Sequence, residues 1–313
     1  MKTYHLLPEN VLRQYTDACI VYEELCRVNA KASEYAGGMY WKAQGAYTYL
    51  IRTAPDNRQI RLGARSAETE QMYTAFHQTK TEIKARLRHL RDAVSEAERL
   101  NKALRVGRVP PSVVDFIVRS EGAGVAGLFT VLGSAALFAY ETRAGVRLSK
   151  EGTSVRNSRS FADVRDGIQI SVDAPTSDRA LLQMLQLVDE TFHWKKTTRP
   201  PLAVNEHAFG VECLRCLTLR DGSTPYRHSK AGNLEQTSPG IGESMRADDK
   251  LQQIVVATTG RMAVIRTVSP QTFIRFMTSL MSDSGSDDLE ERRCTLLQID
   301  AVQRLLDDKL LER

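Results

Sequence analysis

The chain has 313 residues, of which 42% are hydrophobic and 26% charged, and it carries a formal net charge of +5 with a pI near 8.9. This length allows one large domain or two ordinary ones, and the composition is that of a globular protein. No apolar run approaches the ~18 residues of a membrane span, which argues against membrane insertion. The N-terminal segment lacks the apolar core of a signal peptide, so we expect a cytoplasmic protein.

The cysteine content favours a reducing compartment, because five is an odd number for a disulfide framework. Cys213 and Cys216 form a Cys-x-x-Cys pair inside a predicted strand, where residues three positions apart face opposite sides. No second pair completes a zinc site. We therefore expect structural thiols and no metal.

Positive charge is concentrated in the first half of the chain. Residues 80–119 contain ten Lys/Arg and five Asp/Glu, whereas residues 268–313 contain six and nine. A basic helix can bind nucleic acid through its phosphates, but a solvated helix face is the commoner origin of such a pattern. We expect the solvated face.

The N-terminal part predicts two long helices around a β-hairpin. Apolar residues at 3–4 spacing predict a helix over 9–35, and Gly37-Gly38 ends it. Aromatic and β-branched runs on either side of Pro55-Asp56-Asn57 predict the hairpin. A second helix begins at Ser66, a good N-cap, and continues to about residue 104.

The second helix has an apolar seam with the 3–4 spacing of a coiled coil. The helix can lie on the body of its own subunit, or the seam can form a dimer contact. A helix of ~38 residues spans about 57 Å, which is longer than a compact half-domain needs, so we favour a homodimer. The predicted dimer seam consists of Phe76, Ile83, Leu87, Leu90 and Val94.

The rest of the chain alternates predicted strands and helices. The segment GRVPPS at 107–112 predicts a domain boundary, and residues 222–247 predict a long surface loop. The predicted strands and helices are a strand over 128–132, a helix over 135–145, a strand over 168–172, a helix over 176–192, a strand around 204–218, a hairpin about Gly260 and helices over 270–282 and 289–311.

Gly133 and Ser134 stand between the strand at 128–132 and the following helix. A glycine lets the backbone come close to a ligand, and the serine and the helix N-terminus supply hydrogen-bond donors for a phosphate. Turns of this kind are common, so the pair indicates only a candidate phosphate-binding position.

Seven segments between about residues 37 and 313 follow one another in the chain as YAGGMYWKAQGAYTYLIR, LGARSAETEQMYTAF, RLNKALRVGRVP, FTVLGSAALFAYETRAGV, GVECL, TVSPQTFIRFMTSLM and RRCTLLQIDAVQRLL. In this order they resemble a bacterial family of nucleotidyltransferase-fold proteins. The resemblance implies an α+β fold with a mixed sheet, in which residues 1–110 form an N-terminal helical region with the hairpin, 111–265 the nucleotidyltransferase-like domain and 266–313 a C-terminal helical region.

The resemblance also implies where a magnesium site should lie. In such proteins the Gly-Ser turn is followed by a strand with an Asp-x-Asp pair, and these two acids bind magnesium together with a third carboxylate. Counting from Gly133 and back from Asp163 places the pair on Asn157 and Arg159, neither of which is an acid, while Glu212 retains the third position. We therefore expect no catalytic residues and no metal, with Arg159 paired to Glu212 in the metal's place.

Other acids could restore the site. Asp163 and Asp166 are three positions apart, so on a strand they face opposite sides, and Asp173 lies at a strand end. This rescue stays an alternative.

Within the family the chain resembles agrobacterial relaxase-binding recruitment proteins of T-DNA and conjugative transfer. The resemblance implies a non-catalytic, dimeric adaptor with a nucleotide-binding region of the HEPN type. Such an adaptor binds a relaxase, or the relaxase–single-stranded DNA complex, and brings it to the ATPases or coupling protein of a type IV secretion apparatus.

Two alternatives to the adaptor remain. One is an active nucleotidyltransferase. The other is a nucleotide sensor that binds a nucleotide without turnover, with the phosphate at Gly133 and Ser134 and its charge balanced by Arg156 or Arg159 instead of magnesium. For the adaptor we expect no cofactor beyond a weakly bound nucleotide.

Overall fold

The computed structural model describes residues 4–149, 164, 166–172, 177–195, 202–214, 226–228, 234–236, 250–283 and 289–311. The chain forms two compact units, a first unit of residues 13–100 and a second unit of residues 1–12 with 101–313. The predicted boundary after residue 110 therefore lies instead after residue 100. The predicted C-terminal region, 266–313, is part of the second unit rather than a separate one.

The described elements follow in chain order. The helices are α1 (Glu9–Glu34), α2 (Ala67–Ala103), α3 (Pro111–Gly122), α4 (Gly133–Ala144), α5 (Asp178–Val188), α6 (Pro270–Asp283) and α7 (Leu289–Asp307). The strands are β1 (Tyr4–Leu6), β2 (Gly38–Gln44), β3 (Tyr47–Thr53), β4 (Gln59–Ala64), β5 (Phe129–Leu132), β6 (Val146–Leu148), β7 (Asp166–Val172), β8 (His193–Trp194), β9 (Leu202–Val204), β10 (Phe209–Leu214), β11 (Tyr226–His228), β12 (Leu234–Gln236), β13 (Lys250–Val256) and β14 (Met262–Val268).

The first unit contains a three-stranded antiparallel sheet in the order β2-β3-β4. The sequence predicted a single hairpin with its turn at 55–57. A second turn lies between Gln44 and Tyr47, where Gly45 has a φ of 61°. Glycine adopts this left-handed conformation without strain, which lets a two-residue turn interrupt the aromatic run.

The predicted dimer seam is buried inside the first unit. Ile83, Leu87 and Leu90 pack against Val28 of α1. Phe76 packs under the sheet, and Val94 is also buried. Packing within the chain, which was the alternative interpretation of the seam, explains the 3–4 spacing. A homodimer stays a prediction with no surface assigned to it.

The second unit is built on a seven-stranded sheet in the order β13-β14-β5-β7-β10-β9-β8. β5 and β7 are antiparallel, whereas β7 and β10 are parallel. The unit combines helices with one sheet that has both parallel and antiparallel strands. This combination confirms the predicted α+β fold class.

Helix α4 is buried along almost its whole length because its sequence, GSAALFAY, is apolar beyond the first turn. One core cluster contains residues of α3, α5 and the sheet, together with Phe138. A second cluster joins Leu137 to α6 and α7. Helix α4, which follows directly on β5, is therefore held between two hydrophobic clusters.

Two predicted elements differ from the structure. The helix predicted over 176–192 ends at Val188, before a turn that leads to β8. The loop predicted over 222–247 contains the paired strands β11 and β12. Within the described parts of the chain, no helix is long and apolar enough to cross a membrane.

Candidate functional site

The turn between β5 and α4 requires a glycine for two reasons. Gly133 has a φ of 60°, in the left-handed region. A Cβ added there would lie 1.7 Å from Oε1 of Gln169. The helix begins after Leu132 without a side-chain cap, and Ser134 is its second, half-buried residue. The backbone of this turn therefore lies directly against the side chain of Gln169.

Gln169 joins the turn to Glu212. The two residues are partners in the parallel ladder of β7 and β10, and Nε2 of Gln169 donates a hydrogen bond of 2.6 Å to Oε2 of Glu212. Glu212 is only 2% exposed. Burial of a carboxylate is costly unless donors satisfy its oxygens, and the amide supplies one such donor. Gly133, Gln169 and Glu212 thus form one continuous row.

The two faces of β7 have different roles. Ile168 and Ile170 contribute to the core beside α3 and α5. Because successive strand residues alternate, Gly167 and Gln169 lie on the opposite face, with Glu212. Gly167 is paired with Gly210 across the same ladder.

Some of the predicted site residues lie in the part of the chain that the structure describes, and others lie outside it. Gly133 and Glu212 both lie against Gln169, and Ser134 follows Gly133 in α4. Asn157 and Arg159 lie outside the described residues, so their predicted positions and the predicted pairing of Arg159 with Glu212 stay predictions. Cys213 is buried in the core, and Cys216 is also outside the described residues.

Asp166 does not supply a missing acid. It alternates with Gly167, so it faces away from Glu212, and its Oδ2 accepts a hydrogen bond of 3.0 Å from Oγ of Ser112. The alternative in which another acid restores the magnesium site is therefore wrong for Asp166. The other two acids that were considered, Asp163 and Asp173, lie outside the described residues.

The described residues around Glu212 do not fit the magnesium site that the resemblance implies. Magnesium prefers hard oxygen ligands and is usually held by one or two ionised carboxylates together with waters and substrate phosphates. Here the position beside Glu212 is held by an amide that already donates to it. In the described part of the chain there is no group of three His, Cys, Asp or Glu residues that could hold a metal ion.

Sequence reasoning missed Gln169 and Gly167. A search for paired acids passes over a strand whose residues on this face are a glycine and an amide. The available signal was the alternation in GIQISV, where buried isoleucines mark one face and leave residues 167 and 169 on the other.

A second buried carboxylate lies on α4, away from this row. Nε of Arg108 donates to both oxygens of Glu141, at 2.9 and 3.0 Å, and Nη1 of Arg147 donates to Oε1 at 3.4 Å. The backbone N–H of Leu148 also donates to Glu141. Burial raises the pKa of Glu141 above its usual range, and Arg108 is the strongest influence that opposes this rise. The contacts connect the segment before α3 to β6, which is a structural role.

A family model described as nucleotidyltransferase matches residues 112–313, which is more than half of the chain. No curated protein and no solved structure gave a match. The matched region contains the turn at Gly133, strand β7 and Glu212. On this match the chain belongs to the nucleotidyltransferase family.

Proposed function

We propose that this chain is a non-catalytic member of the nucleotidyltransferase family that works as an adaptor. The observation that carries the proposal is the hydrogen bond from Gln169 to Glu212. An enzyme of the family type would need an ionised carboxylate at such a position, free to bind magnesium. Here an amide takes that position.

The geometry of β7 supports a new placement for the lost acid pair. The two acids should stand at i and i+2 on the strand face beside Glu212, next to the Gly133 turn. Gly167 and Gln169 share that strand face, and Gln169 lies against Gly133. We therefore propose that they, rather than Asn157 and Arg159, are the degenerate positions.

The missing charges are large enough to matter. At ~4 Å and an effective dielectric constant near 20, each pair of unit charges interacts by about 4 kcal/mol. Two absent carboxylates remove most of the attraction for a divalent cation. The remaining oxygen of Gln169 is neutral, and it packs against Gly133.

Calorimetric titration of magnesium with a nucleoside triphosphate tests the lost metal site. We expect no magnesium-dependent binding by the wild-type chain and a gain of at least tenfold for the variant Gly167→Asp/Gln169→Asp, because two carboxylates then stand beside Glu212. The matched control Gly167→Asn/Gln169→Asn adds the same bulk without charge and should gain nothing. Circular dichroism establishes that each variant is folded, and Gln169→Asp alone replaces the pair if the glycine position does not tolerate a side chain.

Two results would contradict the pseudoenzyme proposal. One is magnesium that tightens nucleotide binding to the wild-type chain. The other is transfer of a nucleotide to any acceptor by the wild-type chain. Nucleotide binding without magnesium would favour a sensor, in which the first amides of α4 hold the phosphate.

The partner in this proposal is a relaxase, alone or on single-stranded DNA, which a cytoplasmic homodimer of this chain delivers to the ATPases or coupling protein of a type IV secretion apparatus. This part rests on the sequence resemblance. No membrane insertion and no cofactor are part of it.

Mixing purified chain with a purified relaxase from the same genome tests recruitment. We expect one complex in size-exclusion chromatography with light scattering, at micromolar concentrations, both with and without a bound oligonucleotide. The mass of the free chain reports its oligomeric state in the same run. Separate elution of the chain and the relaxase at all concentrations would refute recruitment. It would leave the proposal for the metal site unaffected.

A further inference from the structure

One face of the sheet of the first unit is rich in tyrosine. Tyr40 and Tyr47 are exposed on it, whereas Ile51 between the strands is buried. Tyr40, Ile51 and Arg61 are direct cross-strand neighbours. Lys42 is paired with Tyr49 in the next row, and Gln44 with Tyr47 in the row after that. Because cross-strand partners share a face, these rows form one surface, which we call the tyrosine face.

The opposite face of the same sheet is covered. Met39 and Leu50 pack against Phe76 of α2. The tyrosine face, in contrast, is accessible at its rings, since Tyr47 is 65% and Tyr40 37% exposed. An apolar ring that is exposed on a small sheet, while the other face supplies the core, is available to a ligand.

The rings and cations of the tyrosine face are already arranged for stacking. The guanidinium carbon of Arg61 lies 3.2 Å from the ring centroid of Tyr49, and the rings of Tyr47 and Tyr49 are 6.3 Å apart. A planar cation above one ring and a second, freely exposed ring beside it offer neighbouring platforms for flat groups.

The charge on this sheet has one sign. The strands β2, β3 and β4 contain Lys42, Arg52 and Arg61 and no Asp or Glu. The turn after β3 adds Arg58, which pairs with the exposed Asp56. Lys42 and Arg61 are both exposed and lie among the tyrosines. The surface therefore attracts a partner that is both anionic and flat.

We propose that the tyrosine face binds single-stranded nucleic acid. Unpaired bases stack on exposed aromatic rings, and their phosphates are neutralised by interleaved Lys and Arg. A duplex hides its bases and would use the cations alone. This inference concerns the first unit and is independent of the nucleotidyltransferase site.

Fluorescence anisotropy with labelled 20-nucleotide oligothymidylate and oligouridylate tests the proposal on the full chain. Tyr47→Ala should weaken binding about tenfold or more, because it removes one stacking platform, whereas Tyr47→Phe should bind as the wild type does. The relative affinity for the two oligonucleotides tells whether DNA or RNA is preferred.

The salt dependence tests the cations. Lys42→Gln/Arg61→Gln should lower the slope of log affinity against log salt by about 1.4, at ~0.7 per lost phosphate contact. Lys84→Gln/Arg88→Gln removes the same charge from exposed positions of α2 and should leave the slope unchanged. An equal effect of both double variants, wild-type affinity of Tyr47→Ala, or tighter binding of a duplex overturns the proposal. Displacement by poly-glutamate with unchanged affinity in Tyr47→Ala also overturns it, in favour of an acidic protein.

Discussion

Replacing Arg108 by methionine should lower the free energy of unfolding by about 3–5 kcal/mol at pH 7. The side chain of Glu141 is only 5% exposed and that of Arg108 is 22% exposed. Methionine retains much of the apolar stem of Arg108 but removes the cation closest to the buried carboxylate. The loss therefore comes mainly from an incompletely compensated charge.

The loss of unfolding free energy in Arg108→Met should depend on pH. The pKa of Glu141 is raised in the fold, so its contribution to stability is present below the usual value of 4.5 and declines as pH rises through the folded pKa. Removal of Arg108 raises this pKa further, because Arg108 opposes the effect of burial. Urea unfolding of Arg108→Met should thus show a smaller loss near pH 4.5 than at pH 7.5.

A double-mutant cycle separates the charge from the packing. Arg108→Met/Glu141→Leu removes both ends of the pair, and we expect it to be more stable than Arg108→Met alone at pH 7. If the double variant is as unstable as the sum of both single variants at every pH, the contact between Arg108 and Glu141 does not determine the stability.

Gly107→Ala should destabilise the chain by about 3 kcal/mol, because the added methyl group has no room. A Cβ at Gly107 would lie 2.0 Å from the carbonyl oxygen and 2.3 Å from the carbonyl carbon of Val256. These are backbone atoms, which cannot rotate away as a side chain could. Val109 donates a 3.2 Å hydrogen bond to the same oxygen, so a shift would also strain that contact.

Gly122→Ala is the matched control for this clash. Gly122 is the last residue of α3, and an added Cβ would meet no atom within 4 Å. Thermal and urea unfolding should find this variant close to the wild type. Equal stability of Gly107→Ala and Gly122→Ala would show that the chain can separate residue 107 from β13 at little cost.

The sequence predicted the framework of the site but not its central side chain. A buried strand, a Gly-Ser turn and an apolar helix follow one another locally, and each has its own pattern, so β5 and α4 were predictable. The placement of Gln169 beside Glu212 depends on two strands more than 40 residues apart. Only their pairing brings the amide to the carboxylate, and no local pattern reports that pairing.

The apolar seam of α2 illustrates a different limit. A 3–4 spacing shows that Leu87 and Leu90 need a partner surface, but the same spacing fits a second subunit or α1 of the same chain. The structure supplies α1. The missed turn at Gly45 has a similar origin, because its few residues stand between two strands of continuous β character.

The hydrogen bond between Gln169 and Glu212 also has a consequence for reversibility. A single change of Gln169 to an acid would exchange an attractive contact for two carboxylates side by side in a buried place, and one of them would have to take up a proton. A return towards metal chemistry would thus pass through a less stable protein before any cation could compensate. Under the proposed function, the amide at position 169 keeps the chain non-catalytic. A magnesium site of this kind is therefore easier to lose than to regain.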